Sequence, residues 1–284
     1  MPMDLSWIGR ELGPNPIAWS SDQCMLYALG VGAGVDELQL TTENSEGVTL
    51  RVLPTFATSL SRSGWGELDA LSFGSYGAHQ VVHAAQKIEM CRELASSGRA
   101  LATLRIAGIW DKRVGAMAEL VTLAADPSTG EELFRSTTSL LVLGEGGFGG
   151  ARRPAARGLR PPRRPPDRSV EHETQPTQAL LFRLSGDHTP IHSDPVVAAR
   201  AGFARPILHG LCTFGFAGRA LLDTVCEGDT ARFRSMAGRF ARPAYPGDML
   251  VTEVWLGGDG AFFETKNQHG ESLIERGVFA LAKS

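Results

Sequence analysis

A chain of 284 residues with 43% hydrophobic and 21% charged side chains can bury one large domain or two of ordinary size. A formal net charge of −3 sets up no strong field toward nucleic acid or an anionic membrane. The start, Met1 to Arg10, has no basic stretch followed by a long apolar run, and no window approaches the apolar length that spans a bilayer. The ending Ala282-Lys283-Ser284 is not of the Ser-Lys-Leu type. Neither nucleic acid nor membrane is therefore an expected partner, and the expected compartment is the cytoplasm. Cys24, Cys91, Cys212 and Cys226 form no Cys-x-x-Cys pair and read as free thiols in a reducing compartment.

In chain order, Ser20 or Ser21 caps a short helix carrying Met25, Leu26 and Leu29, which stops at Gly30, Gly32 and Gly34. A dinucleotide-binding loop needs a strand before its glycines, and here a helix precedes them, so that reading is set aside. Strand-like runs follow over 81–90, 100–110, 116–125 and 133–143, with Asp126-Pro127-Ser128-Thr129-Gly130 as a turn. The glycines 146, 147, 149 and 150 then lead into a segment rich in arginine and proline, including Pro154, Arg157, Arg163 and Arg164. It cannot sustain a helix or a central strand and reads as a solvated crossover linker.

Beyond the linker, 177–184 reads as helix, and Asp194-Pro195 caps a compact helix that stops at Gly202. Leu211, Phe214, Leu221, Leu222 and Val225 recur at helical spacing and predict a long buried helix over 208–225. Runs over 233–240, 249–256, 261–267 and 273–281 read as a meander of strands. Each flank is thus helix first and antiparallel strands after, which predicts a curled sheet around an apolar helix. Gly215 and Gly218 in the long helix are expected to let strands approach it closely.

The chemistry concentrates in one stretch. Asp187 and His192 lie five positions apart in a loop bounded by Gly186 and Pro195, and Gly210 opens the long helix after Pro206-Ile207-Leu208-His209. A carboxylate and an imidazole can clamp one water and share its proton traffic. A glycine N–H at a helix start can hold a developing oxyanion. Residue types alone leave the plainer reading open: an Asx-turn aspartate and a satisfied loop histidine. The alternation of His188, His192 and Asp194 is compatible with metal ligands, but no fourth ligand is evident and no metal is expected. His209 reads as ordering the turn, and Cys212 as packing.

Three runs carry a resemblance: Phe182-Arg183-Leu184-Ser185-Gly186-Asp187, then Pro190-x-His192-x-Asp194-Pro195, then Pro206-Ile207-Leu208-His209-Gly210-Leu211-Cys212. They resemble the MaoC-like, type-2 enoyl-CoA hydratases, which include the hydratase domain of the peroxisomal multifunctional beta-oxidation enzyme. The likeness extends over nearly the whole chain through Leu26 to Ala33, Leu53-Pro54-Thr55-Phe56, Gly146 to Gly150, Arg239-Phe240 and Pro246-Gly247. Departures are Thr189 for the family's asparagine, Phe182 for its tyrosine, and His83-Ala84-Ala85-Gln86 for its His-Gly-Glu-Gln element.

The resemblance implies an α+β double hot-dog: two curled antiparallel sheets, each wrapped around a central helix. It implies a degenerate N-terminal hot-dog over 1–145 that houses the acyl chain, a crossover linker over 146–170, and a catalytic C-terminal hot-dog over 171–284. The implied reaction is reversible hydration of trans-2-enoyl-CoA to (R)-3-hydroxyacyl-CoA, a step of beta-oxidation. Asp187 and His192 would be catalytic and the N–H of Gly210 the oxyanion donor, with Asp194 and Glu43 in support. No cofactor is implied beyond the CoA of the substrate, and a homodimer is plausible. A hot-dog thioesterase and a non-catalytic acyl-thioester binding protein stay open as alternatives.

Overall fold

The computed structural model describes residues 3–64, 73–77, 80–153 and 160–283. Pro154 and Arg157 of the expected linker lie outside these residues. In the first half, β1 (Glu11–Trp19) leads into α1 (Ser21–Gly30), α2 (Leu38–Thr41) and α3 (Ala57–Ser63). The strands β2 (Val81–Met90), β3 (Gly98–Lys112), β4 (Gly115–Ala125) and β5 (Glu132–Leu143) follow. The second half repeats the plan with β6 (Arg168–Glu173), α4 (Gln178–Phe182), α5 (Pro195–Arg200) and α6 (Gly210–Thr224). It ends in β7 (Phe233–Phe240), β8 (Met249–Gly257), β9 (Gly260–Asn267) and β10 (Ser272–Leu281).

All ten strands form one antiparallel sheet in the order β1-β3-β4-β5-β2-β7-β10-β9-β8-β6. Read inward from either edge, the two halves have the same connectivity, and they join where Gln86 of β2 pairs with Gly238 of β7. This is the double hot-dog, an α+β fold. The central helix of the second half is α6, buried continuously from Leu211 to Leu222 against β7, β8 and β10. Its first-half counterpart by chain position is the short α3, which packs against β1, β4 and β5. One apolar core runs through both halves, from Ile17 and Phe134 to Phe214 and Phe263.

Four details depart from the sequence reading. β1, α2 and α3 are additional elements. β1 is an edge strand that admits Pro14 and Pro16, as an edge can. The expected first-half helix, α1, packs against its counterpart α4 instead of filling the sheet. β6 begins at Arg168, inside the expected linker. Gly215 and Gly218 serve chiefly a different neighbour: an added Cβ would run into Val31 and Thr55, so these glycines let α6 touch the first half's helical layer, and only Gly218 also faces a strand, through Met236 of β7 at 3.6 Å. Gly32, within the glycine cluster after α1, has the same purpose, because a Cβ there (φ +80°) would run into the Phe216 ring of α6.

Candidate active site

The expected catalytic loop is built by short-range turns. α4 runs into a 3-10 turn over Arg183–Ser185 that ends at Gly186, whose φ of +115° reverses the chain at little cost. Asp187 follows, and a second 3-10 turn over Pro190–His192 delivers the imidazole. Asp194 accepts from the N–H groups of Val196 (2.7 Å) and Val197 (3.3 Å), capping α5 and closing the loop. The backbone N–H and hydroxyl of Thr189 donate to Asp187 Oδ1 at 3.1 and 2.6 Å, so Asp187 is an Asx-turn residue as well as a cavity residue.

His192 Nδ1 lies 2.9 Å from the carbonyl of Ile207. A carbonyl only accepts, so Nδ1 carries the proton and Nε2 keeps its lone pair. The His209 ring stacks on that of His192, with centroids 3.7 Å apart and planes 25° from parallel. His209 Nε2 donates to the main-chain carbonyl of Asp187 at 3.1 Å, and its ring centroid lies 4.9 Å from that of Phe182. One donor atom each from Asp187, His192 and His209 lie within 4.8 Å of one another. The stacking does not suit a shared metal: an imidazole binds an ion in its own ring plane, and two face-to-face rings cannot both aim at one ion.

Charge states follow from the surroundings. Burial pushes the Asp187 carboxyl up, but the Arg62 guanidinium and the two Thr189 donors outweigh it and hold it at about 2. Burial pushes His192 below its ordinary range, opposed in part by its bond to Ile207 and by Asp187. Burial and the neighbouring His192 push His209 down to about 3. The site near neutral pH is therefore one carboxylate beside two neutral imidazoles.

Asp187, His192 and Gly210 all line one cavity of about 880 Å³. Gly210 is the first residue of α6, whose opening N–H groups have no acceptor within the helix. Both halves supply the lining: Phe182, Ile191, Leu208 and Phe240 from the second, Ser59, Arg62, His83 and Leu140 from the first. Asp194 and His188 are not among the lining residues, and Glu43 stands exposed in the loop after α2. Arg62, His83 and Thr138 belong to the cavity without having been singled out as site residues. Of these only His83 left a mark in the sequence, as the first residue of a four-residue element that departs from the family's at Ala84 and Ala85.

Two family models divide the chain: the MFE-2 hydratase 2 N-terminal domain matches residues 18–144, and the MaoC like domain matches 159–276. The 3-hydroxyacyl-thioester dehydratase Y of Mycobacterium tuberculosis is 40% identical over 272 residues, covering 94% of this chain and 92% of that protein. The peroxisomal enoyl-CoA hydratase 2 of Arabidopsis thaliana is 39% identical over 286 residues, covering 95% and 92%. Among solved structures, the MaoC-like dehydratase of Phytophthora capsici superposes with a TM-score of 0.90 at 28% identity, covering 99% of this chain and 98% of that one. With both halves matched in order and relatives of this identity spanned almost end to end, the chain belongs to the MaoC-like family of type-2 enoyl-CoA hydratases.

Proposed function

We propose that this protein is a hydro-lyase that adds water reversibly to trans-2-enoyl-CoA, giving (R)-3-hydroxyacyl-CoA. The observation that carries the reading is that Asp187 and His192, whose ring keeps its lone pair on Nε2, come together within 4.8 Å on a cavity that Gly210 also lines. The names of the relatives, a 3-hydroxyacyl-thioester dehydratase and an enoyl-CoA hydratase, support the same reaction. The (R) configuration rests on the family.

In this reading a water sits between Asp187 and His192. Nε2 takes one proton as the water oxygen bonds to C3, and the carboxylate accepts the water's other hydrogen and faces the imidazolium that forms. The π pair of the double bond moves onto the thioester oxygen, where the Gly210 N–H at the start of α6 stabilises it. The electrons then return to C2, which takes the proton back from His192. Every atom of one water ends in the product, and no cofactor enters the balance.

The division of labour follows the two halves. Residues 168–284 carry the chemistry, residues 1–145 supply the acyl pocket, and 146–167 cross between them. Asp194 acts from a distance, by capping α5 and so fixing the loop that holds His192. Among the described residues no contact gives Glu43 a part. Among the described residues no helix is long and apolar enough to cross a membrane. The proposed compartment is the cytoplasm, in keeping with four free cysteines. Fractionation tests it against the peroxisome that names one relative, and light scattering tests the homodimer that the family suggests.

The decisive experiment follows loss of the enoyl absorbance of crotonyl-CoA while free thiol is assayed in the same cuvette. Hydration without thiol release is expected, and Asp187→Asn and His192→Gln should each lower the rate by roughly a hundredfold or more. Thiol release would instead make the protein a thioesterase. Near-normal turnover by either folded variant would overturn the assignment.

A further inference from the structure

The first half contributes an unusually polar wall to a pocket otherwise suited to hydrocarbon: Ser59, Arg62, Ser63, His83 and Thr138 all line it. An alkyl chain laid against such groups strips their water and returns no hydrogen bond, which is a cost. The wall is also a built site, because His83 is fixed from behind by a buried network.

The protonation of that network follows from its acceptors. Gln86 Nε2 lies 3.1 Å from the carbonyl of Lys87 and 2.8 Å from Ser136 Oγ, so this end of the amide is the NH₂. Gln86 Oε1 then accepts from Thr138 Oγ1 at 3.0 Å and faces His83 Nε2 at 3.1 Å. The carbonyl of Ala85 faces the same nitrogen at 3.2 Å. Two acceptors on one nitrogen require that His83 Nε2 carry the proton, which leaves Nδ1 as a bare acceptor. Burial and the Arg62 charge push His83 down to about 4, so the ring stays neutral. Among the described residues Nδ1 has no protein partner, and it is not one of the sealed, unpaired buried atoms. The same holds for the hydroxyl of Ser59, a side chain 8% exposed on the same wall.

We propose that His83 Nδ1 and Ser59 Oγ form a subsite for a hydroxyl group on the substrate's acyl chain, beyond the reacting double bond, so that hydroxylated enoyl thioesters are the preferred substrates. The acceptor decides the class. Nδ1 needs a donor, which a hydroxyl supplies and a ketone, a carboxylate or an alkyl chain does not. This deepens the reaction assigned above and rests on that reading.

The test separates binding from turnover. Calorimetry compares hexanoyl-CoA with its 4-, 5- and 6-hydroxy forms, none of which reacts, and steady-state assays compare the corresponding trans-2-enoyl pairs with crotonyl-CoA as reference. At least one hydroxylated chain should bind and turn over about tenfold better than its alkyl match, the scale of one satisfied buried hydrogen bond. That ratio should fall to about one in His83→Phe and in Ser59→Ala; being a ratio, it is insensitive to a loss of folded protein. Equal or better binding by hexanoyl-CoA, or a preference that survives both substitutions, overturns the subsite. Failure to hydrate crotonyl-CoA strikes at the hydratase reading alone, because the calorimetry still reads the subsite.

Discussion

The imidazole of His209 covers one face of the His192 ring at 3.7 Å while donating to the main-chain carbonyl of Asp187. One side chain thus touches both members of the proposed pair, and it stands immediately before Gly210. It is 1% exposed and held neutral, so it adds no charge to the site. Its role is to position, and His209→Phe isolates that role by keeping a flat ring and removing the donor. The turnover number should fall by roughly a hundredfold, the scale of an ångström-sized misplacement of reacting groups. Looser cover admits water to His192 and should raise the pH at which activity is half lost. A fall in thermal stability with turnover and pH profile unchanged would reduce His209 to a purely structural residue.

The pH profile itself has a determined sign. As the proposed base, Nε2 of His192 works only when unprotonated, and burial holds the group below the ordinary histidine value of about 6.5. Asp187, near 2, stays ionised throughout the working range. Hydration should therefore be flat from neutral pH down past about 6.5 and fall below it with a slope of one proton. Dehydration of the 3-hydroxyacyl thioester uses the same neutral base to remove the C2 proton, so both directions should share this acid limb. Activity that rises as the pH falls from 7 would rule out His192 as the base.

The proposed oxyanion donor can be removed with little harm to the helix. Gly210 is the first residue of α6, where proline is well tolerated and the N–H has no helical acceptor. His209 before it has φ −61° and ψ 137°, the extended conformation that a following proline requires. The atoms nearest to a Cβ at position 210 belong to the Phe240 ring edge, at 3.4 Å. Gly210→Pro should thus fold and lose about 10²–10³ in turnover, the usual effect of deleting one oxyanion donor. Gly210→Ala keeps the N–H and measures the steric part alone. Equal activity in the two variants would show that the N–H does not act on the thioester.

These relationships were unequally visible in the sequence. Strands β2 to β5 and β7 to β10 announce themselves by alternation and by turns such as Asp126 to Gly130, because each depends on local pattern. The catalytic loop is legible for the same reason: Asp187, His192 and the Asp194 cap lie within eight residues. α3 was missed because Ala57-Thr58-Ser59-Leu60-Ser61-Arg62-Ser63 has little helical periodicity, and its capping position, Phe56, makes no side-chain cap bond. The polar wall was illegible because it is a tertiary product. His83 acquires its tautomer from Gln86, which is held in turn by Ser136 and Thr138, some fifty residues away.

The contact between Arg219 and Glu37 is of this hidden kind, 182 residues apart and joining the halves that share the cavity. The guanidinium on α6 is 8% exposed, pairs with the Glu37 carboxylate through two nitrogens and donates to the carbonyl of Val31 at 3.0 Å. Removing one partner from such a pair leaves the other charge buried and uncompensated. Glu37→Ala should therefore destabilise the fold by roughly 2–4 kcal/mol in urea denaturation, below the top of the usual range because Glu37 keeps some contact with water. Adding Arg219→Met removes the stranded charge and fills its channel with apolar atoms, so the double variant should recover part of the loss. A single substitution that costs less than about 0.5 kcal/mol, as an exposed pair does, would mean that the halves are held together by the shared apolar core without this bridge.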